Sequence, residues 1–180
     1  MQPRVLCLLF PGFEEIETLA PVDLLRRAGA TVVLASLTGA RLVPGRCQIT
    51  VQADAALAEV ADQPFDLLLL PGGPGVKAVR AEGRAATLAR RFVEAGRPVA
   101  AICAAPTVLA DAGLLAGRRY TAHFSVHDEL PAALAGERVV EDGPLITSRG
   151  AGTALEFGLA LVRRLFDDAR AREVARAIMY

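Results

Sequence analysis

The chain has little of what several function classes require. It carries no excess charge of either sign, with Lys+Arg 20 against Asp+Glu 20. That gives no electrostatic basis for a nucleic-acid partner or an acidic membrane surface. No apolar run reaches ~18 residues, the length needed to cross a bilayer. Cysteine is scarce: Cys7, Cys47 and Cys103 are the only three, and they cannot all pair. A reducing, cytoplasmic setting is therefore expected. Met1 to Arg4 runs straight into Val5–Phe10, a stretch too short for a signal peptide and with no cleavage pattern behind it. CxxC and HExxH are both absent, so no metal centre is expected. The phosphate-loop pattern G-x-x-x-x-G-K-[ST] is absent too. No internal repeat, low-complexity segment or linker interrupts the chain, and its 180 residues suit one domain, 1–180.

What is present is apolar. Hydrophobic residues make up 53% of the chain, enough for a sizeable core. Val5–Phe10, Thr31–Leu37, Asp66–Leu70, Val99–Ile102 and Leu145–Thr147 read as strands, with Arg119–Ala122 and Val139–Val140 as weaker candidates. The principal runs are continuous rather than alternating, as expected of strands covered on both faces. Arg41–Val43 and Ile49–Gln52, split by Pro44-Gly45, read as a small hairpin. Helices are expected over Glu14–Ala28, Arg84–Ala95, Ala104–Leu115, Ala154–Phe166 and about Ala169–Ile178. Ile16, Leu19, Leu24 and Leu25 mark an apolar face on the first, with Pro21 kinking it. Thr153 and Glu156 form a capping box before the fourth expected helix, Ala154–Phe166. Strands and helices alternate at βαβ spacing, which predicts an α/β sandwich around a mostly parallel sheet. Ligands of such sheets bind beyond the carboxyl ends of the strands. Three loops should meet there: Pro11–Glu17, Pro71–Gly75 and Cys103–Pro106.

Cys103 sits where the Val99 strand meets the helix behind it, the placement of a nucleophile elbow. A helix N-terminus there would favour thiolate, although a free cysteine can equally be a small buried hydrophobe. Pro71-Gly72-Gly73-Pro74-Gly75 does not suit dinucleotide binding. Pro74 removes an N–H that a phosphate would want, and the next strand ends in Cys103 instead of an acidic ribose ligand. The run reads as a tight turn that brings a glycine N–H toward Cys103 or an oxyanion formed there. Glu14, Glu15 and Glu17 cluster at a helix start, where carboxylates are favoured in any case, and position does not say which acts with the thiol. His123 and His127 are both candidates to lie near Cys103.

Four stretches, in this order, resemble the ThiJ/PfpI superfamily. They are Gly12-Phe13-Glu14-Glu15-Ile16-Glu17-Thr18 with Pro21-Val22-Asp23, Leu70-Pro71-Gly72-Gly73, Ala100 to Thr107, and Thr147-Ser148-Arg149-Gly150-x-Gly152-Thr153. The resemblance is to the branch holding the human parkinsonism-associated deglycase and its bacterial chaperone/deglycase relatives. It implies a flavodoxin-like three-layer α/β/α sandwich, and Cys103 as the reactive cysteine. It implies Glu17 as the acid that hydrogen-bonds the sulfur, His123 as the nearby histidine, and Gly73 and Ala104 as the backbone N–H donors. It further implies a homodimer, no metal or other cofactor, and one of two functions. One is glutathione-independent conversion of methylglyoxal to lactate, or removal of early glycation adducts from protein or nucleotide. The other is redox sensing or chaperone action through oxidation of Cys103. A glutamine-hydrolysing amidase shares a cysteine elbow, but favours glycines where this chain has Ala101 and Ala105. Ala104 replaces the histidine of the protease-like branch, which argues against peptidase activity.

Overall fold

The structure, a computed structural model, describes residues 2–180. Among them the strands are β1 (Arg4–Leu9), β2 (Thr31–Ser36), β3 (Leu42–Pro44), β4 (Thr50–Gln52), β5 (Ala55–Ala56), β6 (Leu67–Leu70), β7 (Val99–Ile102), β8 (Val139–Asp142) and β9 (Leu145–Ser148). The helices are α1 (Glu15–Ala28), α2 (Leu57–Val60), α3 (Val76–Glu82), α4 (Arg84–Glu94), α5 (Pro106–Asp111), α6 (Ala154–Leu165) and α7 (Asp168–Ala177). Seven strands form one sheet in the order β5-β2-β1-β6-β7-β9-β8, with β3 and β4 as a separate ribbon. All neighbours in the large sheet are parallel except β8, which runs antiparallel to β9.

Strand β6, four leucines in a row, shows why the strands are apolar throughout. Leu68 and Leu70 enter a core with α3, α4 and α5. Leu67 and Leu69 enter the opposite core with α1 and α6. A strand buried on both faces has no position for a polar residue. The result is the expected flavodoxin-like three-layer sandwich with its small antiparallel hairpin. No helix is long and apolar enough to cross a membrane among the described residues. From β1 the chain goes to β2 on one side, then returns to β6 on the other. The crevice above β1 and β6 is thus a topological switch point, where the loops after them diverge and leave room for a ligand.

Several elements differ from expectation, each for a local reason. Helix α5 starts at Pro106 and ends at Asp111, shorter than Ala104–Leu115. Ala104 and Ala105 form the turn after Cys103. Gly113 adopts φ 73° and Leu114 N–H returns to Leu109 O, a Schellman-type stop. Arg119–Ala122 is not a strand. Thr121 N–H goes to the Thr147 hydroxyl and Leu134 N–H to Tyr120 O, so no ladder forms. Thr153 and Glu156 form no capping box. Thr153 Oγ1 lies 2.6 Å from Ser148 Oγ and 2.8 Å from Gly150 O, while Glu156 pairs with Arg138. On α1, Leu24 and Leu25 are buried but Ile16 and Leu19 are exposed. The helix runs unbroken through Pro21. Gly158 lets α6 lie close against it, since a Cβ there would stand 2.6 Å from Leu24 Cδ1 and 3.0 Å from Pro21 Cα.

Candidate active site

Cys103 ends β7 in a left-handed backbone conformation, φ 65°. A non-glycine residue held there is strained, and strain of this kind persists only where surrounding bonds fix it. Two do so here. Cys103 N–H donates to Ser148 O at 2.8 Å, and His123 N–H donates to Cys103 O at 2.9 Å. The side chain is thereby turned up into a cleft of about 600 Å³ at the carboxyl end of the sheet. This is the elbow that the strand-to-helix spacing predicts.

The three acidic residues of the first loop separate by role. Glu14 faces the cleft and pairs with Arg46 at 3.3 Å. Glu15 points under the hairpin, where Oε1 accepts the Cys47 N–H at 2.8 Å. Glu17, only 1% exposed, comes up beside Cys103. Its Oε2 accepts the Gly72 N–H at 3.1 Å, which leaves Oε1 to carry a proton. Of the three carboxylates, Glu17 is the one this geometry sets beside the thiol. The glycines explain how the groups fit. A Cβ on Gly72 would stand 2.5 Å from Glu17 Oε2 and 2.6 Å from Cys103 Cβ. One on Gly73, whose φ is 105°, would stand 2.4 Å from Gly12 O. Both positions require glycine.

Of the two histidines, His123 lines the cleft. His127 turns away, its Nε2 3.2 Å from Ala122 O. His123 Nδ1 accepts the Ser125 N–H at 3.3 Å and lies 2.9 Å from Ser125 Oγ. Burial, then the charges of His127 and Arg46, hold its pKa below the ordinary value, so the imidazole is neutral near pH 7. His123 therefore meets Cys103 through its backbone N–H, and its neutral ring stands at the cleft wall.

Thiol and acid must be treated together. Burial pushes Glu17 up to about 7, with Glu14 adding to the rise, while hydrogen bonds from Cys103 and Gly72 oppose it. Burial also pushes Cys103 up to about 12, reinforced by the Glu17 charge and hydrogen bond, against the N–H groups of Gly73 and Ala104. The expected helix N-terminus does not dominate: α5 has six residues and starts past the elbow, so its dipole is weak. Two negative charges side by side in a buried site are costly. The pair therefore titrates as a unit, losing its first proton near pH 7 and keeping the second well above it. With that proton on Glu17 the Coulomb repulsion disappears and the carboxyl becomes a donor to sulfur. Gly73 and Ala104 then stabilise the thiolate. Among the described residues no group of three or more His, Cys, Asp or Glu could hold a metal ion.

Residues outside the expected set also shape the site. Ser148 and Thr153 brace the strand end that receives the Cys103 N–H. Arg46, Lys77 and Arg80 supply positive charge to the cleft. The Ser148 and Thr153 pair was visible as part of the Thr147–Thr153 motif, but the three cations carry no sequence signature.

The model of the DJ-1/PfpI family matches residues 3–164. The chain is 39% identical to the DJ-1beta protein of Drosophila melanogaster over 183 residues, covering 99% of this chain and 98% of that one. The crystal structure of that fly protein superposes with a TM-score of 0.93 over 99% of this chain and 98% of that one. A deglycase of Thermococcus kodakarensis is 36% identical over 152 residues, 83% of this chain and 91% of its own. The structure of Toxoplasma gondii DJ-1, described as oxidized, shares 33% identity and a TM-score of 0.93, covering 99% of this chain and 98% of that one.

Proposed function

The chain belongs to the DJ-1/PfpI family, and from that premise we propose that it is a cysteine-dependent enzyme converting α-oxoaldehydes to 2-hydroxy acids without glutathione. The observation that carries this reading is the buried Glu17 carboxyl set beside Cys103 in one cleft, its Oε2 on the Gly72 N–H, where burial pushes it up to about 7. A group with pKa near the working pH can both give and take a proton.

The steps follow from that proton. The thiolate attacks the aldehyde carbon, and the carbonyl oxygen takes the proton from Glu17, giving a neutral hemithioacetal. Gly73 and Ala104 N–H groups stabilise the oxyanion before it is protonated. Glu17, now a carboxylate, removes the hydrogen from the former aldehyde carbon. The electrons shift to the adjacent ketone oxygen, which takes up the hydroxyl proton as the enediol forms and collapses, and Glu17 returns its proton to what was the ketone carbon. The product is a thioester of a 2-hydroxy acid, which water hydrolyses to regenerate the thiol. Methylglyoxal would give lactate. In an early adduct on an amino group the same carbon is a carbinolamine. There the sulfur–carbon bond would form as the carbon–nitrogen bond breaks, with Glu17 protonating the departing amine, and the hemithioacetal then follows the same path. The name of the archaeal relative supports that extension. Three free cysteines accord with a cytoplasmic site of action. The decisive assay is methylglyoxal with purified protein and no glutathione. Wild type should form lactate and Cys103→Ala should not; no lactate above the variant removes the reading.

A second reading has its own observation. A protonated Glu17 can donate to an oxygen of an oxidised Cys103, and the Toxoplasma relative is described as oxidized. In that reading Cys103 goes to sulfinate and the output is a partner interaction. A homodimer accords with both. Ile16, Leu19, Leu42 and Ile49 are 55%, 36%, 61% and 55% exposed, and Glu15 ties the hairpin carrying two of them to the start of α1. Light scattering should give a dimer at micromolar concentration, which Ile16→Glu should weaken.

A further inference from the structure

The cleft carries one charge that the chemistry at Cys103 does not use. Arg46 is committed to Glu14 at 3.3 Å. Arg80 is held by Asp111 through Nε at 2.7 Å and Nη2 at 2.9 Å, and by Glu129 at 2.7 Å. Glu14 and Glu129, the other carboxylates of the cleft wall, are thus already neutralised. Lys77 is different. It lies on the first turn of α3, lines the same cleft and is exposed. Among the described residues it has no ion-pair or hydrogen-bond partner. It is also the only lysine in the chain. Arg80 follows at i+3 on the same helix face, so its bound carboxylates lie close by but are held by arginine forks and not by the lysine.

Size points the same way. A three-carbon oxoaldehyde has five heavy atoms, which at roughly 30 Å³ each fill about a quarter of a cleft this large. Cys103 and Lys77 both line that cleft, so the unfilled remainder has room for an anionic tail on the electrophile. A phosphate dianion would call for more than one uncommitted cation, whereas a carboxylate calls for one.

We propose that Lys77 binds a terminal carboxylate on the electrophile that Cys103 attacks, so that the cleft favours carboxylate-bearing α-oxoaldehydes over methylglyoxal. The substrate side of this inference rests on the enzymatic reading above; the anion site does not. Lys77 is a specificity residue and takes no part in the proton transfers.

The test uses matched pairs. Iodoacetate and iodoacetamide alkylate thiols alike but differ in charge, and the exposed Cys47 serves as an internal reference. The Cys103 rate ratio, iodoacetate over iodoacetamide, divided by that at Cys47, is read by peptide mass. It should fall about fivefold in Lys77→Met, the scale of one solvent-accessible ion contact, and be retained in Lys77→Arg. High salt should shrink it in wild type. The second pair is 4,5-dioxopentanoate and its methyl ester, compared by kcat/KM. Wild type should prefer the acid, and Lys77→Met should lose that preference. An alkylation ratio that Lys77→Met leaves unchanged overturns the inference. So does equal turnover of acid and ester by wild type, which would leave the enzymatic reading standing. A ratio that depends on Lys77 with no turnover of either oxoaldehyde supports the anion site and removes the enzymatic reading.

Discussion

Cys7 and Cys103 make an instructive pair. Both lie on strands of the same sheet, and burial pushes both thiols up to about 12. Cys7 is in the middle of β1, paired in register with Leu34 and Leu69. Its sulfur meets only Leu8 O, at 3.8 Å, among polar atoms. Cys103 is one residue past the end of β7, where the left-handed turn lifts it out of the ladder. There it meets an acid that can take its proton and two N–H groups that can hold its charge. The difference is one of position in the topology. A raised thiol with no acid beside it is inert, while a raised thiol that shares a proton with a raised acid is a device for moving that proton.

The largest expected effect breaks the comparison directly. Limiting iodoacetamide on the native protein should label Cys103 at least about a hundredfold faster than Cys7, because only the Cys103 thiolate has both access and support. Peptide mapping decides. Equal labelling with the fold intact would defeat the elbow.

The next effect concerns what separates the two thiols, the acid. Glu17→Gln keeps a hydrogen-bond donor but cannot carry a proton between carbons. Turnover should fall by roughly 10²- to 10⁴-fold, the range for loss of a general acid/base, while Cys103 still alkylates. A Glu17→Gln protein with near wild-type turnover would end the proton-shuttle role. The same variant should change stability against pH. The folded pKa of Glu17, about 7, lies above its ordinary value of 4.5. The folded state therefore binds more protons between those values, and its stability falls as pH rises from about 4.5 through 7. Glu17→Gln removes that slope. Denaturant titrations at pH 5 and pH 8 should show the variant gaining on wild type at the higher pH, by up to about 3 kcal/mol.

How much of this could be read from the sequence follows from where the physics is local. The β6 and β7 strands were legible because runs such as Leu67–Leu70 allow no other reading at that length. The elbow was legible because Ile102, Cys103 and Pro106 mark a strand end and a helix start only a few residues apart. Helix α3 was missed because Pro74-Gly75 hides its beginning and Val76–Glu82 is too short to show a period. The capping box failed because Ser148 and Arg138, far along the chain, took its two side chains. The choice among Glu14, Glu15 and Glu17 was settled by the resemblance and not by spacing, since all three suit a helix start. What separates them is which loop stands opposite each: Arg46, the Cys47 amide and the Gly72 amide. Lys77 gave no signal at all. The role proposed for it rests on the partners that Arg46 and Arg80 have and that it lacks among the described residues.

The smallest effect tests the inert member of the pair. Cys7→Ser places a hydroxyl in the core among Leu34, Leu69 and Val5. The one nearby acceptor, Leu8 O, is already 3.8 Å from the longer cysteine side chain, so the shorter serine cannot reach it well. A buried hydroxyl without a partner costs about 1–3 kcal/mol on protein mutational scales. At roughly 2–4 °C per kcal/mol for a chain of this size, the melting temperature should fall by several degrees. Cys7→Ala removes the sulfur without adding a polar atom, and should cost less than Cys7→Ser. Neither should alter turnover per folded molecule, because β1 presents Cys7 to the α1–α6 core and not to the cleft. If Cys7→Ser is as stable as wild type, the strand carries a polar partner that its packing does not show. If it slows turnover while remaining folded, the two thiols are coupled through β6, and the separation drawn between them fails.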